Sequence, residues 1–187
     1  MRKLKIFNNV TMDGFFTGAN GDMRWAHQNA DAEWNEFTSE NARGKAAFVF
    51  GRKTYDMMVS FWPTDEAKKQ MPEVAKAMNE SPKYVFSRSL DKAEWSSTKL
   101  VKGDVGAQLK ALKEESGPDL LIMGSGSIIG PATQAGLIDA FTIVMHPLVL
   151  GIGKSMFAGV EQRQDYTLES SRSFKNGNVV VTYTRRA

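Results

Sequence analysis

The chain has 187 residues, 42% hydrophobic and 24% charged, and 24 Lys and Arg against 21 Asp and Glu leave a formal net charge of +3. That length and balance fit one domain with a sizeable core, spanning residues 1–187, and exclude a disordered or fibrous chain. With no cysteine and two histidines, His27 and His146, the sequence excludes disulfides, thiolate catalysis and Cys-based zinc sites, and it offers no metal motif.

Lys and Arg are scattered rather than blocked, so no nucleic-acid surface is expected. No apolar run approaches the ~20 residues of a membrane span, and the basic start Met1–Lys5 is not followed by a signal-like apolar stretch. The expectation is a cytoplasmic α/β domain acting on a small molecule.

Leu4–Val10 reads as a first strand, and Thr11-Met12-Asp13-Gly14 turns it. Phe15 and Phe16 then lie in a Gly- and Asn-rich loop that ends at Trp25. Such a loop either packs down on the core or closes as a lid over a flat substrate. Asp31–Ala42 is predicted helical, with Ala30, Trp34 and Phe37 on one face. Asp31 and Glu33 sit in its first turn, where carboxylates complement the helix dipole.

Ala46–Phe50 is a short buried strand running into Gly51-Arg52-Lys53-Thr54-Tyr55 and a helix carrying Met58, Val59 and Trp62 on one face. Arg and Lys beside free main-chain N–H groups suit a phosphate, because cations otherwise oppose a helix N-terminus. Asp65–Met78 is predicted as one polar helix. Lys83–Phe86 is the next strand, and it ends in Ser87-Arg88. After a helix begun by Asp104, the run Leu120–Met123 reads as another buried strand. It ends in Gly124-Ser125-Gly126-Ser127, and Ile128 opens a helix reaching about Ala135. This junction is either a phosphate cradle or a tight turn.

Phe141–Val144 is a further strand. Tyr166–Ser173 and Asn178–Arg185 flank Phe174-Lys175-Asn176-Gly177, which signals an antiparallel hairpin. The predicted fold is therefore α/β, a mixed and mostly parallel central sheet flanked by helices, with a C-terminal antiparallel hairpin.

These junctions, in this order, resemble the dihydrofolate reductase superfamily. The nearest branch is the one containing the C-terminal reductase domain of bacterial riboflavin biosynthesis. The resemblance rests on Thr11–Gly14, the loop reaching Trp25, Gly51–Tyr55, Ser87-Arg88, Ile122–Ser127 and Pro147–Phe157. It implies NADPH-dependent hydride transfer to an unsaturated C–N system of a flat heterocycle, pterin- or pyrimidine-like.

By the same resemblance, Gly51, Arg52, Lys53 and Thr54 hold adenosine-side phosphates, and Ser87 and Arg88 approach the ribose 2′-phosphate. Gly124, Ser125, Gly126, Ser127 and Ile128 cover the pyrophosphate and nicotinamide side, with Val10 and Thr11 under the nicotinamide ring. Asp13, Phe15, Phe16 and Trp25, with Met58 and Met123, form the lid and substrate half. The resemblance also implies a homodimer, for which Phe141–Leu150 is interface material.

Folate-reducing members carry an acid early in the helix after the lid, so the resemblance makes Asp31 and Glu33 the candidate proton donors. The sequence departs from the riboflavin-pathway branch at two points. Met123 stands where riboflavin-pathway reductases carry an acid, and Met58 stands where they tend to carry Asp. Both changes point to a more apolar substrate. The alternative is a non-catalytic module that keeps the fold and binds a nucleotide or a flavin-like ligand.

Overall fold

A computed structural model describes residues 1–186. The chain begins with strand β1 (Leu4–Thr11), a two-residue strand β2 (Thr17–Gly18), a 3-10 turn over Arg24–His27 and helix α1 (Ala32–Ala42). Strand β3 (Ala46–Gly51) leads into α2 (Arg52–Phe61), followed by α3 (Asp65–Gln70), α4 (Pro72–Glu80), β4 (Lys83–Phe86) and β5 (Thr98–Val101). Then come α5 (Val105–Glu114), β6 (Asp119–Met123), α6 (Gly126–Gln134) and β7 (Ala140–His146). The chain closes with β8 (Gly153–Lys154), β9 (Tyr166–Ser173) and β10 (Val179–Arg185).

Eight strands form one sheet in the order β5-β4-β3-β6-β1-β7-β10-β9. From β5 to β7 every neighbouring pair is parallel, and β10 is antiparallel to both β7 and β9. This is the mixed sheet with an antiparallel terminal hairpin that the sequence predicts. The unbroken apolar run of β3 is buried from Ala47 onward, as a central parallel strand requires. By contrast β9, at the sheet edge, is exposed over most of its length and carries Ser, Glu and Arg.

The chain lays down β3, β4 and β5 to one side of β1, then returns to insert β6 between β3 and β1, and places β7 on the other side. That reversal leaves a crevice at the carboxyl ends of β3, β6 and β1, where open α/β sheets bind ligands. The main core, including Ile6, Val49, Leu120, Ile122, Ile128 and Ile129, packs one sheet face against α5 and α6.

The segment predicted as one helix, Asp65–Met78, is two. Met71 leaves the helical region (φ −139°, ψ 65°), and Pro72 takes the first position of α4, where its missing N–H costs nothing. Thr64 caps α3 by accepting from the Ala67 N–H. Strand β7 is longer than Phe141–Val144 and lies inside the sheet, paired on one side with β1 and on the other with β10. Phe141 and Val144 are therefore core residues rather than free surface. No helix among the described residues is long and apolar enough to cross a membrane.

Candidate active site

Three strands end on one large cleft of about 2060 Å³, which opens between the sheet, α1, α2 and α4. At the first junction β3 runs through Gly51 into α2. Gly51 is the N-cap and offers no side chain to the helix. A Cβ on Gly51 would collide with the Ser125 hydroxyl, so glycine lets the ends of β3 and β6 meet. Arg52, Lys53 and Thr54 line the cleft. The Arg52 Nε donates to both oxygens of Asp56 at 2.8 Å, one turn along α2.

The second junction follows β4. The buried Ser87 hydroxyl accepts from the main-chain N–H groups of Leu90 at 3.0 Å and Ser89 at 3.3 Å, which fixes the turn. Arg88 is exposed on the cleft wall. Neither Arg88 nor Lys53 enters an ion pair among the described residues.

The third junction follows β6. Gly124 (φ +69°) and Ser125 (φ +74°) both take the left-handed region, which a serine rarely occupies. The turn swings α6 so that it starts at Gly126, two residues earlier than predicted. Ser125 C=O accepts from Ile128 and Ile129, while the Gly126 and Ser127 N–H groups lie in the first turn and have no intrahelical acceptor. The Ser125 and Ser127 hydroxyls are 3.2 Å apart. Gly124, Ser125, Gly126 and Ser127 line the cleft; Ile128 is buried in the core behind them. Two left-handed residues, free N–H groups and nearby unpaired cations are a donor set that fits a phosphate-bearing cofactor.

The loop after β1 is packed down. Its Asp13 carboxylate accepts from the Thr11 hydroxyl at 2.5 Å and from the N–H groups of Leu150 and Gly151, which hold its pKa below the usual carboxylate range. Phe16 is buried in the core, and its ring covers Gly126, where a Cβ would come within 3.2 Å of it. Strand β2 pairs with β8, and Phe15 packs over Gly153. Of the residues expected in the lid and substrate half, Phe16, Met58 and Met123 line the cleft, while Asp13, Phe15 and Trp25 do not. Val10 and Thr11 are buried at the end of β1 and also stand back from the cleft wall.

The two acids of α1 are engaged elsewhere. Asp31 is the N-cap and accepts from the Trp34 N–H at 2.8 Å. Glu33 accepts from Arg172 at 3.2 Å and from the Lys175 N–H at 3.3 Å, and the latter bond contributes most to lowering its pKa. Neither residue lines the cleft. Asp31 is held as the helix cap and Glu33 by the terminal hairpin, so neither carboxylate is turned to the cleft.

Several cleft residues escaped the sequence reading. Phe7, Asn9, His27, Met57, Phe61 and Thr142 all line it. The strand period places Phe7 and Asn9 on one face of β1, and the helix period places Met57, Met58 and Phe61 beside Thr54; both signals were in the sequence. His27 could be found only in three dimensions. It lines the cleft near His146, 119 positions away, where it is exposed, and local desolvation holds its pKa below the usual imidazole value. His146 is buried, packs edge-on to Trp25 at 5.1 Å and donates from Nε2 to Asn9 Oδ1 at 2.9 Å. Burial, and secondarily the His27 charge, pushes its pKa down to about 4.

The mixed sheet, parallel from β5 to β7 with an antiparallel terminal hairpin, is an α/β fold of the dihydrofolate reductase type, shared with the structures below. The profile of the RibD C-terminal domain matches residues 2–180, and the chain belongs to that family. It is 30% identical over 174 residues to the uncharacterized protein YyaP of Bacillus subtilis strain 168, covering 93% of this chain and 90% of that one. Its fold is similar to a candidate riboflavin biosynthesis protein of Shewanella sp. PV-4, with a TM-score of 0.71, 24% identity and 99% of each chain covered. It is also similar to dihydrofolate reductase from Enterococcus faecalis in complex with NADP(H). There the TM-score is 0.65 at 11% identity, covering 99% of this chain and 97% of that one. The chain therefore shares its fold with dihydrofolate reductase and its family with the RibD C-terminal domain.

Proposed function

We propose that this protein is an NADPH-dependent reductase that delivers a hydride to an unsaturated C–N bond of a flat, weakly polar heterocycle. The observation that carries the reading is the convergence of the β3, β4 and β6 ends on one cleft whose other half is walled by methionines and aromatic rings. When bound, the coenzyme supplies the hydride. The chain's contribution is binding, alignment and a site closed to water.

In this reading the Gly126 and Ser127 N–H groups take the pyrophosphate, and Thr54, Arg52 and Lys53 take the adenosine-side phosphates. Ser87 shapes the turn that presents Arg88 to the ribose 2′-phosphate, a preference for NADPH over NADH. Val10 and Thr11 support the nicotinamide end from behind. Met58 and Met123 offer no charge or hydrogen bond to a polar ring substituent, which disfavours a ribosylaminopyrimidine phosphate as substrate. With Asp31 and Glu33 held by structural partners, the proton for the acceptor nitrogen comes from His27 or from water in the cleft.

Calorimetric titration with NADPH and NADH tests the cofactor half, and cofactor consumption across a panel of pterins, pyrimidines and quinoxalines tests the reaction. No NADPH binding at millimolar concentration would remove the proposal. A second reading, a non-catalytic module holding a nucleotide or flavin-like ligand, draws support from the displacement of both α1 acids from the cleft wall. Binding without turnover across the panel selects it.

We further propose that the protein is a homodimer. Leu168 and Tyr183 are cross-strand partners on the terminal hairpin and both exposed, and further along the sheet Met145 of β7 is exposed opposite Val179. Sedimentation equilibrium giving a monomer mass at micromolar concentration would dismiss it.

A further inference from the structure

The cleft does not stop at the level where a nicotinamide and a ring would meet. It runs on beneath α1 towards the amino ends of the strands, as far as Lys5, Ala46 and Asp119. The floor is the sheet face left open by the core on the other side. Two cross-strand rows make it: Phe48, Leu121 and Lys5, then Met123, Phe7 and Thr142. Phe7, Leu121, Met123 and Thr142 are only partly buried, although they lie on central strands. From Asn9 to Lys5 the floor runs four residue steps, about 13 Å at the rise of a strand.

The sequence of α1 explains why this space is open. Trp34 is its one buried side chain, and it closes the roof near the upper end. Below it, the positions that face the sheet at helical spacing are Thr38, Ser39, Asn41 and Ala42, all of which line the cleft. Side chains that short do not reach the floor. A core helix would place Leu or Ile there. On the remaining side, Val74, Ala77 and Met78 of α4 complete an apolar wall.

Apolar sheet surface left uncovered by its helix is unfavourable in water, and an apolar group lying along it recovers that cost. Within the compartment the walls are apolar or carry neutral hydroxyls and an amide. Among the described residues, the charges nearest it are Lys5, which ends the floor and pairs with Asp119 at 2.8 Å, and Lys45 and Glu73 on the rim.

We propose that this compartment is a tail subsite, and that the substrate is bipartite: a flat ring at Met58 and Met123, and an uncharged apolar tail lying along Phe7, Leu121 and Thr142 beneath α1. The inference rests on the reductase reading for the ring's position, but the tail subsite is a property of the compartment itself. A phosphorylated sugar tail is incompatible with it, because no unpaired cation stands inside.

The test uses 2-alkylquinoxalines with chains from methyl to octyl, and their affinity for the whole protein is read by calorimetry, which needs no turnover. Each added methylene is expected to tighten binding about three- to four-fold until the compartment is full. In Thr38→Phe, which fills the compartment from its roof, the increments vanish while the methyl compound binds as in wild type. If that variant melts early, Ala42→Leu reports instead, with the increments ending at a shorter chain. Affinity independent of chain length in wild type, or equal increments in the filled variants, would overturn the tail subsite. Failure to bind NADPH with the increments intact would remove the reductase reading and leave the subsite standing.

Discussion

The Ser125 hydroxyl occupies the space that a Cβ on Gly51 would need, so the turn after β6 is seated directly on the residue that ends β3. Gly51 itself has φ −80°, a conformation any residue adopts. Its glycine is required by the neighbour and not by its own backbone. Gly51→Ala must therefore displace the left-handed Gly124-Ser125 turn that aims the α6 N–H groups. A loss of NADPH affinity of at least about ten-fold is expected, roughly 1.4 kcal/mol in binding. Titration of the variant, with circular dichroism to verify the fold, checks it.

Arg88 is exposed on the cleft wall and makes no ion pair among the described residues, whereas Arg52 is tied to Asp56. Arg88→Ala should weaken NADPH about ten-fold and leave NADH nearly unchanged, because the lost charge matters only to a 2′-phosphate. The wild-type preference should also shrink as salt is raised. Equal losses for both cofactors would mean that Arg88 does not read the 2′-phosphate.

Asp31 caps α1 and Glu33 ties α1 to the terminal hairpin through Arg172 and Lys175. Asp31→Ala should cost about 1 kcal/mol of stability, the usual worth of an N-cap. Glu33→Gln should cost little, since the pair is solvent-accessible. Single-turnover hydride transfer, once a substrate is in hand, should be unaltered in both. A large drop in that rate for either variant would return a carboxylate to the reaction.

Lys83 is almost fully buried, yet its ammonium donates to the carbonyls of Met78, Asn79 and Ser81 and lies 4.7 Å from the centre of the Trp95 ring. It closes the carboxyl end of α4. Burial pushes its pKa down to about 8, below the unfolded value of about 10.4. Between those values the unfolded chain holds the extra proton, so this group makes stability rise with pH across that window. Lys83→Met should remove that rise. It should also lower stability at neutral pH by about 1–3 kcal/mol, since three carbonyls lose their donor. Denaturant midpoints of both proteins from about pH 7 to 10 decide the matter.

His146 works in the opposite pH range. Its folded pKa of about 4 lies below the unfolded value of about 6.5, so stability from the neutral ring is present above about 6.5. It is lost as pH falls towards 4. His146→Gln, which keeps a donor for Asn9, should flatten that acid-side decline in urea midpoints. An unchanged slope would mean that His146 does not titrate alone in this window.

What the sequence by itself determined are the features whose partners are neighbours along the chain. A buried apolar run, a glycine and a helix start are contiguous at Gly51 and again at Gly124, and the hairpin over Phe174–Gly177 is likewise local. The strand types, the junction chemistry and the family resemblance were therefore legible. Tertiary structure alone decided whatever depends on residues far apart in the chain. Insertion of β6 between β3 and β1 brings Ser125 onto Gly51. The terminal hairpin brings Arg172 and Lys175 to Glu33, taking that acid away from the cleft. Even the open space beneath α1 is written in Thr38, Ser39 and Ala42, but short side chains look the same on a solvent-facing helix. Only the position of α1 over the half-buried Phe7 and Leu121 turns them into a compartment, because a void is a relation between two surfaces and belongs to neither alone.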